Sequence, residues 1–201
     1  MRISFDFGEL KLRMTGRTQA TALRAIYQLK VTLNYIRPPI WRRFLIASTD
    51  SLANLHLVVQ IVMGWSDSHL HEFAKGGERY GLPDEDFPSA IHDESKFRIS
   101  QILKQEKDKI RYTYDFGDNW DHEIVLEKIL PFEMGTKLPT CLKGSRACPP
   151  EDVGGPPGYE MFLEALADPS HPEHGGILEW FGEPFDAEHF DLTEVNHLLH
   201  N

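Results

Sequence analysis

The clearest patterning along the chain runs from Ile110 to Leu130, IRYTYDFGDNWDHEIVLEKIL. Ile110, Tyr112, Tyr114 and Phe116 fall on one face of a first alternating run, with Arg111, Thr113 and Asp115 on the other. A second run sets Trp120, His122, Ile124 and Leu126 against Asp121, Glu123, Val125 and Glu127. Strand side chains alternate between faces, and a Gly-Asp-Asn stretch between two such runs is a hairpin signal. The expectation is a β-hairpin that gathers Asp115, Asp118, Asp121 and His122 at one end of a sheet.

Upstream, Tyr27, Leu29, Val31, Leu33 and Tyr35 alternate as in a half-buried strand. Arg37-Pro38-Pro39 ends it, because proline cannot donate to a ladder and restricts the residue before it. Ile40–Ala47 resumes as a second strand, expected antiparallel to the first. Thr49, Asp50 and Ser51 are good N-caps for a helix through Met63, whose Leu52, Leu55, Val58, Val59 and Val62 recur at helical spacing before Gly64. His56 and Gln60 lie four apart on its flank and are read as hydrogen-bonding locally at the core edge. Ser68–Tyr80 reads as a further strand with a Gly76-Gly77 turn, and Ile99–Leu103 as a short helix or turn. Beyond Leu130, prolines and glycines punctuate a long irregular loop over 131–158, and three helical stretches follow within 159–201.

The strand, strand, helix, strand order predicts an α+β fold. The form expected is a small mixed or antiparallel sheet roll of ubiquitin-like β-β-α-β order, with a C-terminal helical cap. One domain is expected over 25–201, preceded by a basic leader at 1–24 in which a short strand and a partly ordered arm both remain open.

Charge alters the functional picture. Residues 1–50 hold nine Lys/Arg and three Asp/Glu (+6), whereas residues 51–201 hold twelve and twenty-eight (−16), summing to the net −10. An acidic body repels phosphate backbones, so nucleic acid could be held only through the basic N-terminal segment. No apolar run approaches the ~20 residues that span a bilayer, and the N-terminus has no signal-peptide core, so a cytoplasmic protein without membrane contact is expected. Two cysteines in 201 residues make no disulfide framework.

Three groups of residues could carry chemistry. His122, Cys141 and Cys148 are a candidate zinc set, because thiolates and imidazole are the ligands zinc prefers. For the two thiols, packing of the loop, metal ligation and a labile disulfide all stay open. Asp115, Asp118, Asp121, Glu151 and Asp152 gather carboxylates suited to a hard cation, to acid/base work or to capping of turn N–H groups. His69 and His71 share a face if their segment is a strand, and would need a further ligand to hold a metal. With Trp120, these residues form the candidate site. No nucleophile elbow, P-loop, dinucleotide-binding glycine pattern, HExxH or kinase set is present in the sequence.

YDFGDNWDHEI, CLKGSRACPPEDVGGPPGY and FDAEHFD, together with PPIWRR, LHLVVQIVMGW and HLHEF, resemble the plasmid pRiA4b ORF-3-like family over roughly Ile26–Leu199. The resemblance implies no established activity. Two functions follow as expectations. The first is a non-enzymatic binding or regulatory module, of the kind a mobile-element accessory would be, that recognises a protein or a small ligand. The second is a metal-dependent hydrolase centred on the hairpin turn and the cysteine-bearing loop. In either case the loop from Cys141 to Tyr159 is expected to fold back over the turn end of the hairpin, since it cannot hold itself.

Overall fold

The computed structural model describes residues 25–83, 91–182 and 184–201. The basic leader expected at 1–24 lies outside them. Eight strands form one sheet: β1 Ile26–Leu33, β2 Trp41–Ala47, β3 His71–Lys75, β4 Glu78–Gly81, β5 His92–Asp93, β6 Lys109–Tyr114, β7 Trp120–Leu130 and β8 Thr140–Ser145. Their order across the sheet is β5-β4-β3-β6-β7-β1-β2-β8. All neighbouring pairs are antiparallel except β4 with β5.

The hairpin β6–β7 occupies the middle of this order, as its strong alternation suggests. Ile110 pairs with Ile124 and Tyr112 with His122 across it, then β7 continues onto β1 and β6 onto β3. This overturns the ubiquitin-like roll, although α+β survives as the class. Ser68–Tyr80 is two strands rather than one, joined at Gly76 and Gly77, both at positive φ. The segment expected to be irregular over 131–158 contains β8, which covers the otherwise open edge of β2. The β3–β4 pairing is a local hairpin, whereas β8 pairs with a distant segment, and strand propensity within a short segment does not encode its partner.

Among the described residues five α-helices accompany the sheet: α1 Leu52–Met63, α2 Ile99–Ile102, α3 Gly155–Ala167, α4 His174–Phe181 and α5 Leu192–Leu198. Helix α1 starts where the Ser51 side chain accepts from the Asn54 N–H and stops at left-handed Gly64. It buries Leu52, Leu55, Val58, Val59, Val62 and Met63, which share one core with Leu29, Val31, Leu33, Tyr112, Tyr114, Ile124 and Leu126 of the sheet. Helix α5 docks on β8: the Asn196 side chain accepts from the Cys141 N–H and donates to its carbonyl.

The expected inward Phe116 is half exposed, while Asp115 beside it is buried. Asp115 adopts a left-handed conformation (φ 55°), which ends the strand's alternation one residue early. A carboxylate thus sits inside the turn end where an aromatic ring was expected.

Candidate functional site

Three loops meet at that turn end: Gly64–Leu70 after α1, the hairpin turn Asp115–Asn119, and Arg146–Gly154 after β8. Their floor is aromatic. Trp65 lies against Tyr114 and Trp120 and meets the His122 ring edge-on, with centroids 4.9, 6.1 and 5.3 Å apart. Trp65 Nε1 donates to the Pro149 carbonyl at 3.1 Å, tying the third loop to this floor. Asp118 accepts from the Gly154 N–H at 3.1 Å, and Gly155 lies so close to the Asp118 carbonyl that a Cβ there would collide with it. The cysteine-bearing loop does fold over the hairpin turn.

Glu151 is the main tie. Its carboxylate accepts from the Tyr114 hydroxyl (2.5 Å), the Ser66 hydroxyl (2.5 Å) and N–H (3.3 Å), and the Ser68 hydroxyl (3.2 Å). Burial alone would raise its pKa, but these donors together outweigh burial and hold it below the usual carboxylate value. Burial first, and then the Glu151 carboxylate, push the Tyr114 hydroxyl up to about 12, so it stays a donor at neutral pH. Removing the carboxylate with Glu151→Ala strands several donors, at a cost of about 1–3 kcal/mol. The expected result is faster amide hydrogen exchange across 146–154 with the sheet amides unchanged. Unaltered exchange in that loop would show that Glu151 does not anchor it.

Above Glu151, three of the sequence candidates converge. His69 Nε2 lies 3.2 Å from Asp152 Oδ1 and 3.7 Å from Asp115 Oδ2. The ligand atoms of His69, Asp115 and Asp152 all lie within 4.8 Å of one another. Asp115 commits its Oδ1 to the Gly117 N–H at 2.8 Å. The Tyr114 ring meets His69 edge-on. His69 Nε2 is shielded from solvent and makes no well-aligned hydrogen bond. On the other side of Asp152, an apolar cleft of about 170 Å³ is lined by Val153, Gly158, Met161, Phe162, Ile177 and Trp180.

A second polar network lies beneath. The His56 and His71 rings stack with centroids 3.4 Å apart and planes 2° from parallel. His71 pairs with buried Glu94 at 2.9 Å, and His56 Nε2 with Asp67 at 2.8 Å. The Gln60 amide donates to the Tyr112 hydroxyl, whose own proton then points to His56 Nδ1, each at 2.8 Å. His56 is thereby fixed as the neutral tautomer that donates from Nε2 to Asp67. Burial, then the neighbouring His71, hold its pKa below the ordinary value. His56 and Gln60 therefore reach across to Tyr112 of the sheet as well as bonding Asp67 just beyond their own helix. A polar pair four apart, both on the apolar side of a helix, was the signal available for this network.

The remaining candidates separate. Asp121 faces away from His122 and is held by Arg111 and the Asn34 amide. Trp120 is fully buried, with Nε1 unpartnered. His122 is fully buried, and burial lowers its pKa to about 4. Its Nδ1 contacts the Tyr112 carbonyl at 3.3 Å, and its Nε2 has no partner. Cys141 pairs with Phe44, Phe44 with Leu29 and Leu29 with Leu126. Followed through the sheet, it is three strand spacings, about 14 Å, from Leu126 of β7 and further from His122. His122, Cys141 and Cys148 are not among the metal-capable groups of the described residues. Both thiols are free, and burial pushes Cys148 above the range in which a thiolate forms at neutral pH. Residues 1–24 of the basic N-terminal segment (1–50) invoked for nucleic acid lie outside the described residues, and no described helix is long and apolar enough to cross a membrane.

Residues 25–194, which contain every element of this turn end, match the family described as plasmid pRiA4b ORF-3-like protein. The chain belongs to that family. A plasmid pRiA4b ORF-3-like chain of this kind is similar to the uncharacterized protein y4hQ of Sinorhizobium fredii, 40% identical over 174 residues, covering 86% of this chain and 89% of that protein. It is also similar to the crystal structure of MM3350 from Methanosarcina mazei Go1, a protein of unknown function. That likeness has a TM-score of 0.77 and 39% identity, covering 86% of this chain and 98% of the other. Family membership thus extends over the whole sheet.

Proposed function

We propose that the protein is a binding module whose ligand lies across the three loops at the turn end of the β6–β7 hairpin. Asp152 carries the reading: one residue borders both the polar group of His69 and Asp115 and the apolar cleft beside Trp180. A ligand with one polar end and one ring-sized apolar end matches that pairing. At about 170 Å³ the cleft is smaller than the ~300 Å³ at which ligand pockets usually begin, so it admits a single ring or short branched chain. Trp180 is half exposed at its rim, giving an aromatic contact without prior unfolding. Binding rather than covalent chemistry is favoured by the state of the nucleophiles. Cys148 is a neutral thiol, Tyr114 is held protonated, and Ser66 and Ser68 spend their hydroxyls on Glu151.

The test is a fragment titration of isotope-labelled protein followed by amide NMR, with a chelator present throughout. Binders of the polar-plus-ring class are expected to shift amides of 64–70, 115–119 and 146–154 together, and Trp180→Ala to weaken them. Binding that maps to another face, or is indifferent to Trp180, would overturn the assignment.

A further inference from the structure

We propose that His69, Asp115 and Asp152 form a binding site for one divalent transition-metal ion of the zinc or manganese class. The inference rests on the turn-end reading for its setting and names what would hold the ligand's polar end. One imidazole with two carboxylates is a donor set of borderline hardness, which suits these ions better than the all-oxygen shells of calcium.

The geometry points to an ion rather than to a completed hydrogen-bond network. Around a metal with ligand distances of about 2.1 Å, neighbouring ligand atoms stand about 3.0–3.4 Å apart. Nε2 of His69 lies 3.2 Å from Asp152, which fits that edge, and 3.7 Å from Asp115, which a few tenths of an ångström would close. At these separations the imidazole still makes no aligned hydrogen bond to either oxygen, although Nε2 is shielded from solvent. Among the described ion pairs, neither carboxylate meets a Lys or Arg. Two carboxylates brought to one imidazole without a cation repel one another. Asp115 is also prepared for ligation, because the Gly117 N–H occupies Oδ1 and leaves Oδ2 facing His69. Asp152 is largely exposed, so one side of the site stays open to an incoming ligand.

The neighbouring group of His56, Asp67 and His71 is a poorer candidate despite similar proximity. Imidazole lone pairs lie in the ring plane, and two rings stacked 3.4 Å apart and within 2° of parallel cannot aim at one point. Both nitrogens of His56 and Nε2 of His71 are already engaged by Tyr112, Asp67 and Glu94. That network holds the floor, and its histidines serve as the internal control.

The experiment is calorimetric titration of the chelator-stripped full chain at neutral pH with Zn²⁺ and separately Mn²⁺, Mg²⁺ being present in excess. One equivalent should bind, with zinc tighter than manganese. Asp115→Asn and His69→Gln should each weaken the ion by about tenfold or more, while His71→Gln should not. Melting curves of metal-free variants confirm that they fold, and Asp152→Asn, at an exposed position, provides a variant with little risk of unfolding. With Co²⁺ as probe, absorption bands characteristic of a nitrogen- and oxygen-ligated ion should appear and be lost in Asp152→Asn. Absence of stoichiometric binding would overturn the proposal, as would equal affinity in all three ligand variants. Because the fragment titration runs in chelator, fragments that bind there without any cation site would leave the turn-end reading standing and the metal inference refuted.

Discussion

Val58→Asp is expected to abolish soluble folding. Val58 is 6% exposed on the inner face of α1, within the cluster that includes Leu29, Val31, Tyr112 and Ile124. An uncompensated carboxylate buried there costs several kcal/mol, against a total stability of about 5–15 kcal/mol for a domain. Leu57 is the matched control. It is the preceding residue of the same helix, yet 50% exposed, and Leu57→Asp should shift stability by no more than about 0.5 kcal/mol. Soluble yield and circular-dichroism melting of the two variants provide the comparison. A Val58→Asp protein that is soluble and melts like the parent would show that α1 does not pack on the sheet by this face.

The elements with strong periodicity were legible in the sequence because their patterns arise from local geometry. Alternation and helical spacing placed Leu29, Val31, Leu33, Leu55, Val58, Val62, Tyr112, Tyr114, Ile124 and Leu126 in the core, where all are buried. Tyr35, read on the same alternation as Leu33, lies in a left-handed turn and is exposed. What escaped was pairing at a distance. Thr140–Ser145, TCLKGS, has no alternation to announce a strand, and becomes β8 because β2 offers an open edge and Asn196 caps Cys141 from α5. Likewise β5 is two residues long and exists only through its parallel pairing with β4. The observed eight-stranded sheet differs from the expected ubiquitin-like roll in its order: β6–β7 is central, with β3, β4 and β5 on one side and β1, β2 and β8 on the other. The site divides in the same way. His69, Asp115 and Asp152 were recognisable by residue type, but their meeting depends on the left-handed turns at Asp115 (φ 55°) and Asp152 (φ 59°) and on the Glu151 tie. His122 and the cysteines shared a residue-type logic too, and the register sets Cys141 far from His122.

Mild acid should destabilise the protein through His122, and His122→Phe should remove much of that sensitivity. The imidazole is fully buried, and burial lowers its pKa from 6.5 to about 4. Above pH 6.5 the residue is neutral in both folded and unfolded chains and contributes no pH dependence. Between pH 6.5 and 4 the unfolded chain binds a proton that the folded chain refuses, so stability falls as pH falls, by up to about 1.4 kcal/mol per unit. Over the whole window the loss reaches a few kcal/mol, a large share of a domain's stability. Only below pH 4 does the folded state accept the proton. Glu151 titrates in a lower window: its depressed pKa gives stability that is present above 4.5 and lost as pH falls further, so it does not mimic the His122 effect. His56 acts in the same direction as His122, because burial and His71 lower its pKa too, and it leaves a residual slope in the variant. Phenylalanine also removes the unpartnered Nε2 while keeping a ring against Trp65 and Tyr112. Urea midpoints at pH 7 and pH 5 decide the matter: the parent should lose clearly more stability between them than His122→Phe. Equal losses would mean that His122 takes up its proton in the folded protein as readily as in the unfolded chain, and that the aromatic floor beneath the turn-end site is wetter than its packing indicates.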